Sequence, residues 1–320
     1  MRRLISTLLA APALVVAVAL AAAPAAAQSF PSKPVRVIVP YPPGGVTDIV
    51  LRLLAKTVET EKLLPQPMAI VNVPAGAGAV GSRQAKDSDP DGHTLLGMHV
   101  GMLISAALGR TDFGPEAFET VAETGSGCMM SAVAKDSPYR SLKDLIDAAR
   151  AKPGELPEAN AIGGAVHLAS LLLNDAAGTQ MRYVQVGGGP DRFKSILGGH
   201  TVATLFATAE YMQFRDSVRG LALLAPTRNA AFPDVPTAKE LGYDVTFCVD
   251  TWWFAPKGTP GDRVAILAEA LRKAMALPAM QQELTSRTQD PTFIAGAALR
   301  TKIDRQYEDV RRITAKYKVQ

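Results

Sequence analysis

Val35-Arg36-Val37-Ile38-Val39-Pro40-Tyr41-Pro42-Pro43-Gly44-Gly45 is a β-branched run halted by a proline and glycine turn, and an amphipathic stretch over residues 48–59 follows it. A short, continuous apolar run of this kind suits a strand buried on both faces of a parallel sheet, so the segment reads as one βα unit. The pattern repeats outward. Residues 68–72 give a second strand, Pro74-Ala75-Gly76-Ala77-Gly78 its turn, residues 79–86 a helix, and residues 94–98 a third strand. Residues 121–134 are extended around Gly125 and Gly127, and Ser141 caps a helix over 142–151 that carries Asp144 in its first turn. A second set of units follows, with strands at 159–162, 181–184, 202–208 and 221–224 and helices at 166–177 and 190–197. Residues 245–254 are strand-rich and carry the chain back, before helices at 262–277 and 299–317. The alternation predicts an α/β protein with two doubly wound lobes.

At the N-terminus Arg2 and Arg3 precede an apolar run over 8–23, then Ala25-Ala26-Ala27-Gln28. A charged start, a short apolar core and a small-residue end form a secretory signal peptide, with cleavage expected after Ala27 and the product in the periplasm. An uncleaved anchor is disfavoured because no aromatic or basic stop-transfer flank follows. Removing residues 1–27 takes away two of the 34 Lys plus Arg and none of the 30 Asp plus Glu, so the formal charge falls from +4 to +2. That balance predicts no nucleic-acid partner. The roughly 290 residues left exceed the usual size of one core, in keeping with two lobes. Cys128 and Cys248 lie far apart in a chain bound for an oxidising compartment, so a disulfide is permitted.

Open parallel sheets bind ligands beyond the carboxyl ends of their strands, which directs attention to the turns after Pro40, Asn72 and Met98. Gly44 and Gly45 let backbone approach a ligand closely, and Thr47 and Asp48 open a helix whose N-terminal amides favour an anion. Gly76 and Gly78 repeat the device. Two such turns aimed into one cleft hold carboxylate oxygens without Arg or Lys; the competing reading is that the glycines merely serve tight turns. A nucleotide-using enzyme is the rival class, since Gly76-x-Gly78-x-x-Gly81 has dinucleotide spacing. It follows the second strand, however, and no acidic residue ends the next one, where Met98 and His99 stand. No Walker-type Gly-Lys-Ser and no Gly-x-Ser-x-Gly elbow occurs. The four histidines, His93, His99, His167 and His200, show no metal-ligand spacing, so neither metal nor cofactor is expected.

The Pro-x-x-Pro-Gly-Gly-x-x-Asp core at 40–48 resembles the first ligand loop of the tripartite tricarboxylate transporter receptors, the Bordetella-uptake-gene family. Asn72-x-Pro74-x-Gly76-Ala77-Gly78 with Gly81 is similar to its second loop. Asp89-Pro90-Asp91-Gly92-His93-Thr94-Leu95-Leu96, Leu197-Gly198-Gly199, Phe232-Pro233-Asp234-Val235-Pro236-Thr237 and Trp253-Phe254-Ala255-Pro256-x-Gly258-Thr259-Pro260 extend the likeness along almost the whole mature chain. The resemblance implies a periplasmic binding protein of type II-like fold, two α/β lobes joined by two crossing strands with a ligand cleft between them. It places lobe 1 at 28–130 and 250–320, lobe 2 at 131–249, and hinges near 125–132 and 245–252. It implies a monomeric receptor for a small carboxylate, without catalysis, serving the membrane permease of a tripartite transporter or a sensor ectodomain. A ligand-free scaffold is the third alternative.

By the same resemblance Tyr41, Pro43, Gly44, Gly45, Thr47 and Asp48 form the first ligand loop and Ala75, Gly76, Ala77 and Gly78 the second; His99, placed after the third strand at the cleft end, is a further donor or a locally bonded loop histidine. In lobe 2 the expected ligand residues are Gly164, Ala165, Gly188, Phe206 and Ala207. There the chain departs from the family. Gly-x-Gly-Ser-x-x-His becomes Ala161-Ile162-Gly163-Gly164-Ala165-Val166-His167, a tyrosine turn becomes Val186-Gly187-Gly188-Gly189-Pro190, and an Asp after the strand phenylalanine becomes Ala207. Each change lowers polarity, which favours a monocarboxylate with an apolar body over a tricarboxylate. One of Trp252 and Trp253 is expected in the core and the other beside the cleft. Cys128 and Cys248 fall near the two crossings, as a hinge disulfide or as two buried thiols.

Overall fold

A computed structural model of the chain describes residues 30–318; the expected signal peptide, residues 1–27, lies outside the described residues. In chain order the elements are β1 (Val35–Val39), α1 (Val46–Thr60), β2 (Met68–Asn72), α2 (Ala79–Lys86), β3 (Thr94–Met98), α3 (Gly101–Ala107), β4 (Phe118–Ala134), α4 (Leu142–Ala151), β5 (Pro157–Asn160), α5 (Ala165–Ala176), β6 (Arg182–Gln185), α6 (Gly189–Leu197), β7 (Ala203–Ala207), α7 (Thr208–Phe214), β8 (Val218–Leu223), β9 (Cys248–Pro256), α8 (Gly261–Met275), α9 (Pro278–Ser286), β10 (Asp290–Ala295) and α10 (Gly296–Lys316).

The strands run β2-β1-β3-β9-β4-β7-β5-β6, with β8 and β10 also paired to β4. β4 is the element both lobes share. Its first part, Phe118 to Cys128, pairs antiparallel with β9, and from Met129 onward it pairs with β7 and β8. β1, β2 and β3 are mutually parallel and β3 is antiparallel to β9, so lobe 1's parallel strands run in the direction of β4, toward lobe 2. β5, β6 and β7 are mutually parallel but β7 opposes β4, so lobe 2's strands point back toward lobe 1. The carboxyl ends of the two parallel sets therefore face each other across the crossing, where ligands of such sheets bind.

β1 and β3 form the core of lobe 1: Val35, Val37, Ile38, Val39, Leu95 and Leu96 are all fully buried, as their hydrophobicity requires, whereas β2 at the sheet edge is half-exposed beyond Met68. Trp252 and Trp253 are both fully buried, and their indole N–H groups donate to Glu123 and Thr124 at 3.1 and 2.7 Å. The expectation that one of them borders the cleft is corrected: successive strand residues point to opposite faces, and both faces of β9 are covered. α3, α7, α9 and β10 were not foreseen. α3 (GMLISAA) is too short and too uniformly apolar to show a helical period, α7 follows β7 with no intervening turn, and Pro278 and Pro291 read as breakers where they stand at the first helical position of α9 and inside an edge-like strand. β5 ends at Asn160 rather than 162 because residues 161–164 are spent on a turn.

Cys128 and Cys248 are directly opposed on β4 and β9 and are joined by a disulfide. It ties the outgoing and returning crossings into one seam and closes a separation of 120 residues. Constraining so long a loop in the unfolded chain stabilises the fold by several kcal/mol in the chain-entropy account. The double variant Cys128→Ala/Cys248→Ala is expected to lose about 2–5 kcal/mol of unfolding free energy. Urea titration of oxidised protein against the variant measures it; coincident curves would mean that the strand pairing alone holds the seam.

Candidate ligand-binding cleft

Six helices start at this facing pair of strand ends; α3 and α7 begin behind Val100 and Ala207, and the other four have glycine at the N-cap: Gly45 for α1, Gly78 for α2, Gly164 for α5 and Gly188 for α6. None has a side-chain cap. α4, which follows the end of β4 that points away from lobe 1, is by contrast closed by a full capping box of Ser141 and Asp144. An uncapped helix leaves its first amides unbonded and its positive dipole end bare, an arrangement suited to an anion. In α1 the first intrahelical bond is Ile49 N–H to Gly45 O, which leaves the Val46 and Thr47 amides without helical partners.

The first loop is braced from behind. Asp48 is buried, and its carboxylate accepts from Gly44 N–H at 2.9 Å, Arg52 Nε at 2.9 and 3.1 Å and Asn72 Nδ2 at 2.8 Å. Asn72 also donates to Tyr41 O at 3.0 Å and accepts from Arg52 at 2.6 Å, so α1, β2 and the loop form one knot. Burial alone would raise the Asp48 carboxyl, but the bonds from Arg52, Gly44 and Asn72 outweigh it and hold the group below the usual carboxylate range. Asp48 therefore shapes the loop, with no oxygen left over for a ligand. Thr47 is buried beside it, while Pro43, Gly44 and Gly45 are exposed.

In the second loop Ala75 and Gly76 are exposed, and Gly78 sits at φ +95° with Met98 and Pro40 against it, a conformation that favours glycine. Ala77 stands between them in a single 3₁₀ turn. Tyr41 and His99 stack at 4.5 Å with their planes 6° apart, both half-buried, and Tyr41 Oη donates to Met98 Sδ. His99 Nδ1 accepts from Gly101 N–H at 2.9 Å, which puts the neutral ring's proton on Nε2. Burial pushes this imidazole down to about 4, so His99 is an uncharged donor at neutral pH, and burial raises the Tyr41 phenol in the same way.

Lobe 2 repeats the logic. Arg192, 2% exposed, donates to Gly187 O at 2.7 Å and to Glu210 at 2.9 Å, and Glu210 in turn accepts from Ala207 N–H, so one ion pair holds the β6–α6 and β7–α7 junctions together. Gln185 and Asn160 hold residues 161–162, and His167 Nδ1 accepts from Gly163 N–H. Gly164, Ala165 and Ala207 are half-buried and Gly188 is exposed. Phe206 is corrected: it is fully buried, packed on Phe214 under the Arg192 guanidinium, because alternation along β7 turns it into the core and leaves Ala207 at the rim. Arg110, absent from the sequence expectations, reaches from lobe 1 to Gly163 O at 3.1 Å. The Asp48–Arg52 spacing of four residues was readable as a helical pair; Arg110 and Arg192 carried no local signal. Among the described residues no cluster of His, Cys, Asp or Glu could hold a metal ion, and no helix is long and apolar enough to cross a membrane.

The chain as a whole is similar to known proteins. The family described as the tripartite tricarboxylate transporter family receptor matches residues 50–317. The chain belongs to this family of solute-binding receptors. It is 30% identical to protein BugT of Bordetella pertussis over 296 residues, 89% of this chain and 90% of that one. A ligand-free TctC solute-binding protein from Polaromonas superposes with a TM-score of 0.79 at 27% identity, covering 90% of this chain and all of that one. MatC from Rhodopseudomonas palustris, solved with bound malate, gives a TM-score of 0.72 at 25% identity over 89% of this receptor and 99% of its own length.

Two variants test the bracing. Asp48→Ala strands the Gly44 and Asn72 donors and is expected to cost about 1–3 kcal/mol in urea unfolding, more than removal of the half-exposed Arg52. The second concerns Glu158, buried in lobe 2, where desolvation raises its carboxyl to about 7 despite donors from Ser170 and Asn160. The folded state keeps this proton up to about pH 7 while the unfolded chain releases it near 4.5, so stability falls as pH rises between the two. Glu158→Gln is expected to flatten that part of the stability–pH curve, a difference on the order of 3 kcal/mol above pH 7. Parallel curves for the two proteins would refute it.

Proposed function

We propose that this receptor is exported, loses residues 1–27, and captures a small organic acid in the periplasm between a lobe 1 of residues 28–130 and 250–320 and a lobe 2 of residues 131–249, for delivery to a tripartite permease. The observation that carries the reading is the set of four glycine N-caps on helices starting at facing strand ends. Their dipoles, and in α1 the Val46 and Thr47 amides without helical partners, favour carboxylate oxygens. The cations the structure brings beside these turns are already engaged, Arg52 with Asp48, Arg192 with Glu210 and Arg110 with Gly163 O. Recognition by backbone amides suits one carboxylate better than three, and malate in MatC supports a small acid as the ligand class. Capture proceeds by closure of the lobes about the crossing, and the closed form is what the permease reads. No catalytic role is assigned, since the cleft-side histidine is stacked and singly bonded and the buried acids serve as braces.

Thermal unfolding of the mature protein, refolded to strip any carried ligand, against mono-, di- and tricarboxylates tests the proposal. An acid present at one hundred times its dissociation constant is expected to add about 2.7 kcal/mol to the folded state. Absence of any shift across the panel, or turnover of an acid, would overturn it.

A further inference from the structure

Among the described residues, side-chain hydrogen bonds join the lobes beside the seam, at the far end of α5 and at the cleft. Beside the seam, Thr208 Oγ1 donates to Thr288 O at 3.0 Å and Asn229 Nδ2 to Asp290 at 3.2 Å, and Asp290 itself pairs with Ser126 of β4. Arg312, Lys316 and Tyr317 of α10 meet Asp175 near the C-terminal end of α5, the end that points away from the cleft. At the cleft, the Arg110 guanidinium crosses from lobe 1 to donate to Gly163 O at 3.1 Å, in the turn between β5 and α5. This is the interlobe bond that reaches a glycine turn.

Both ends of this bond are held in place. α3, which lies against α10, ends in a glycine cap: Gly109, at φ +67°, donates its N–H to Ala106 O at 3.1 Å, and Arg110 N–H turns back to Ser105 O at 2.8 Å. The cap fixes the backbone from which the Arg110 side chain departs. Nearby Arg83 pairs with Asp112, whereas among the described residues no carboxylate lies within ion-pair distance of Arg110, so no acid of lobe 1 competes for its guanidinium. Opposite it, Gly163 is buried at φ +77° with its N–H committed to His167 Nδ1 at 3.2 Å, and its carbonyl takes its hydrogen bond from Arg110. The next residue, Gly164, is the N-cap of α5. A bond with one end on each lobe exists at this separation and is lost as the cleft widens, while the reach of an arginine lets it persist as the gap narrows.

We infer that Arg110 is a tie across the cleft: by holding the Gly163 carbonyl it restrains lobe opening, keeps the ligand-free receptor near its binding geometry and slows the escape of a captured acid. The inference rests on the receptor reading above and adds the residue that governs opening of that site. Arg110 is a positioning residue, since it acts on the turn that opens α5 and not on the acid. A receptor whose binding-competent arrangement is only partly populated loses apparent affinity in proportion, so the tie contributes through the fraction of molecules it keeps together. The donor is charged, which strengthens the bond, and exposed, which weakens it, so the effect on affinity is about three- to tenfold.

The test compares the refolded mature receptor with its Arg110→Ala, Arg110→Met and Arg110→Lys variants. Small-angle X-ray scattering of the ligand-free proteins is expected to give a larger radius of gyration for the alanine and methionine variants than for wild type. Arg110→Lys, which keeps a cationic donor on a different head group, is expected to fall between them. Stopped-flow binding of the mono-, di- and tricarboxylate panel, with butyrate, malate, adipate and citrate included, is expected to show dissociation about three- to tenfold faster in the alanine and methionine variants, association little changed, and partial rescue by lysine. Urea midpoints of all four proteins are expected to agree, because Arg110 is exposed and belongs to neither core. Equal radii of gyration in the ligand-free proteins overturn the tie; faster dissociation at equal radii makes Arg110 a contact of the acid instead. If wild type binds no acid of the panel, the receptor reading fails, and the scattering comparison still decides whether Arg110 holds the lobes.

Discussion

The continuity of β4 is the constraint from which the rest of the molecule follows. One unbroken strand leaves the β9 pairing at Cys128 and enters the β7 pairing at Met129. Lobe 1's parallel strands run with it and lobe 2's run against it, so the carboxyl ends must meet. A cleft between facing sets of βα turns is thereby a consequence of strand direction. The Cys128–Cys248 disulfide and the pairing of Met129 N–H with Phe247 O fix the returning chain to the same point.

Within that frame the ionic side chains near the cleft are used to build loops. Asp48, Arg52 and Asn72 hold the first turn, and Arg192 and Glu210 hold two turns of lobe 2. A charge in a narrow cleft would have to be desolvated each time the lobes close, whereas one bonded behind a loop is desolvated once, on folding. In the proposed receptor reading the ligand is left with backbone amides, whose dipoles need no counter-ion and whose direction is set by helices rather than by rotamers. Asp48, expected from the sequence in the first ligand loop, bonds Gly44, Arg52 and Asn72 with its carboxylate and so fixes that loop's shape.

What the sequence made legible was what depends on local chemistry. β-branched runs halted by glycine turns marked β1, β2 and β3, and Ser141 with Asp144 marked the start of α4, because hydrophobic period and capping act over a few residues. The short elements were invisible for the converse reason. α3 and β10 are held by the strands and helices around them, and seven or six residues carry too little period to declare themselves. Side-chain direction was lost where one residue of register decides it, as at Phe206 and Ala207.

The proposed closure has to be absorbed beside the seam rather than within it. β4 slips register between Glu123 and Ser126, and Gly125 there stands at φ +87°, a bulge only glycine occupies without strain. Next to it Lys302 of α10 bonds both Glu123 and Asp250 at 2.7 Å, and Ser126 donates to Asp250 at 2.6 Å. Burial and the Asp250 carboxylate push Glu123 up against the pull of Lys302, so the ammonium cannot be withdrawn without leaving two acids in contact. Stripping a partner from such a buried group costs about 3–5 kcal/mol. At its other end α10 meets lobe 2 through Arg312, Lys316 and Tyr317 around Asp175 of α5, on side chains that are about half exposed for the two cations. Exposed pairs of that kind are worth about 0–1 kcal/mol each. In the proposed closure this inequality favours an α10 that stays rooted in lobe 1 while lobe 2 lets go of it.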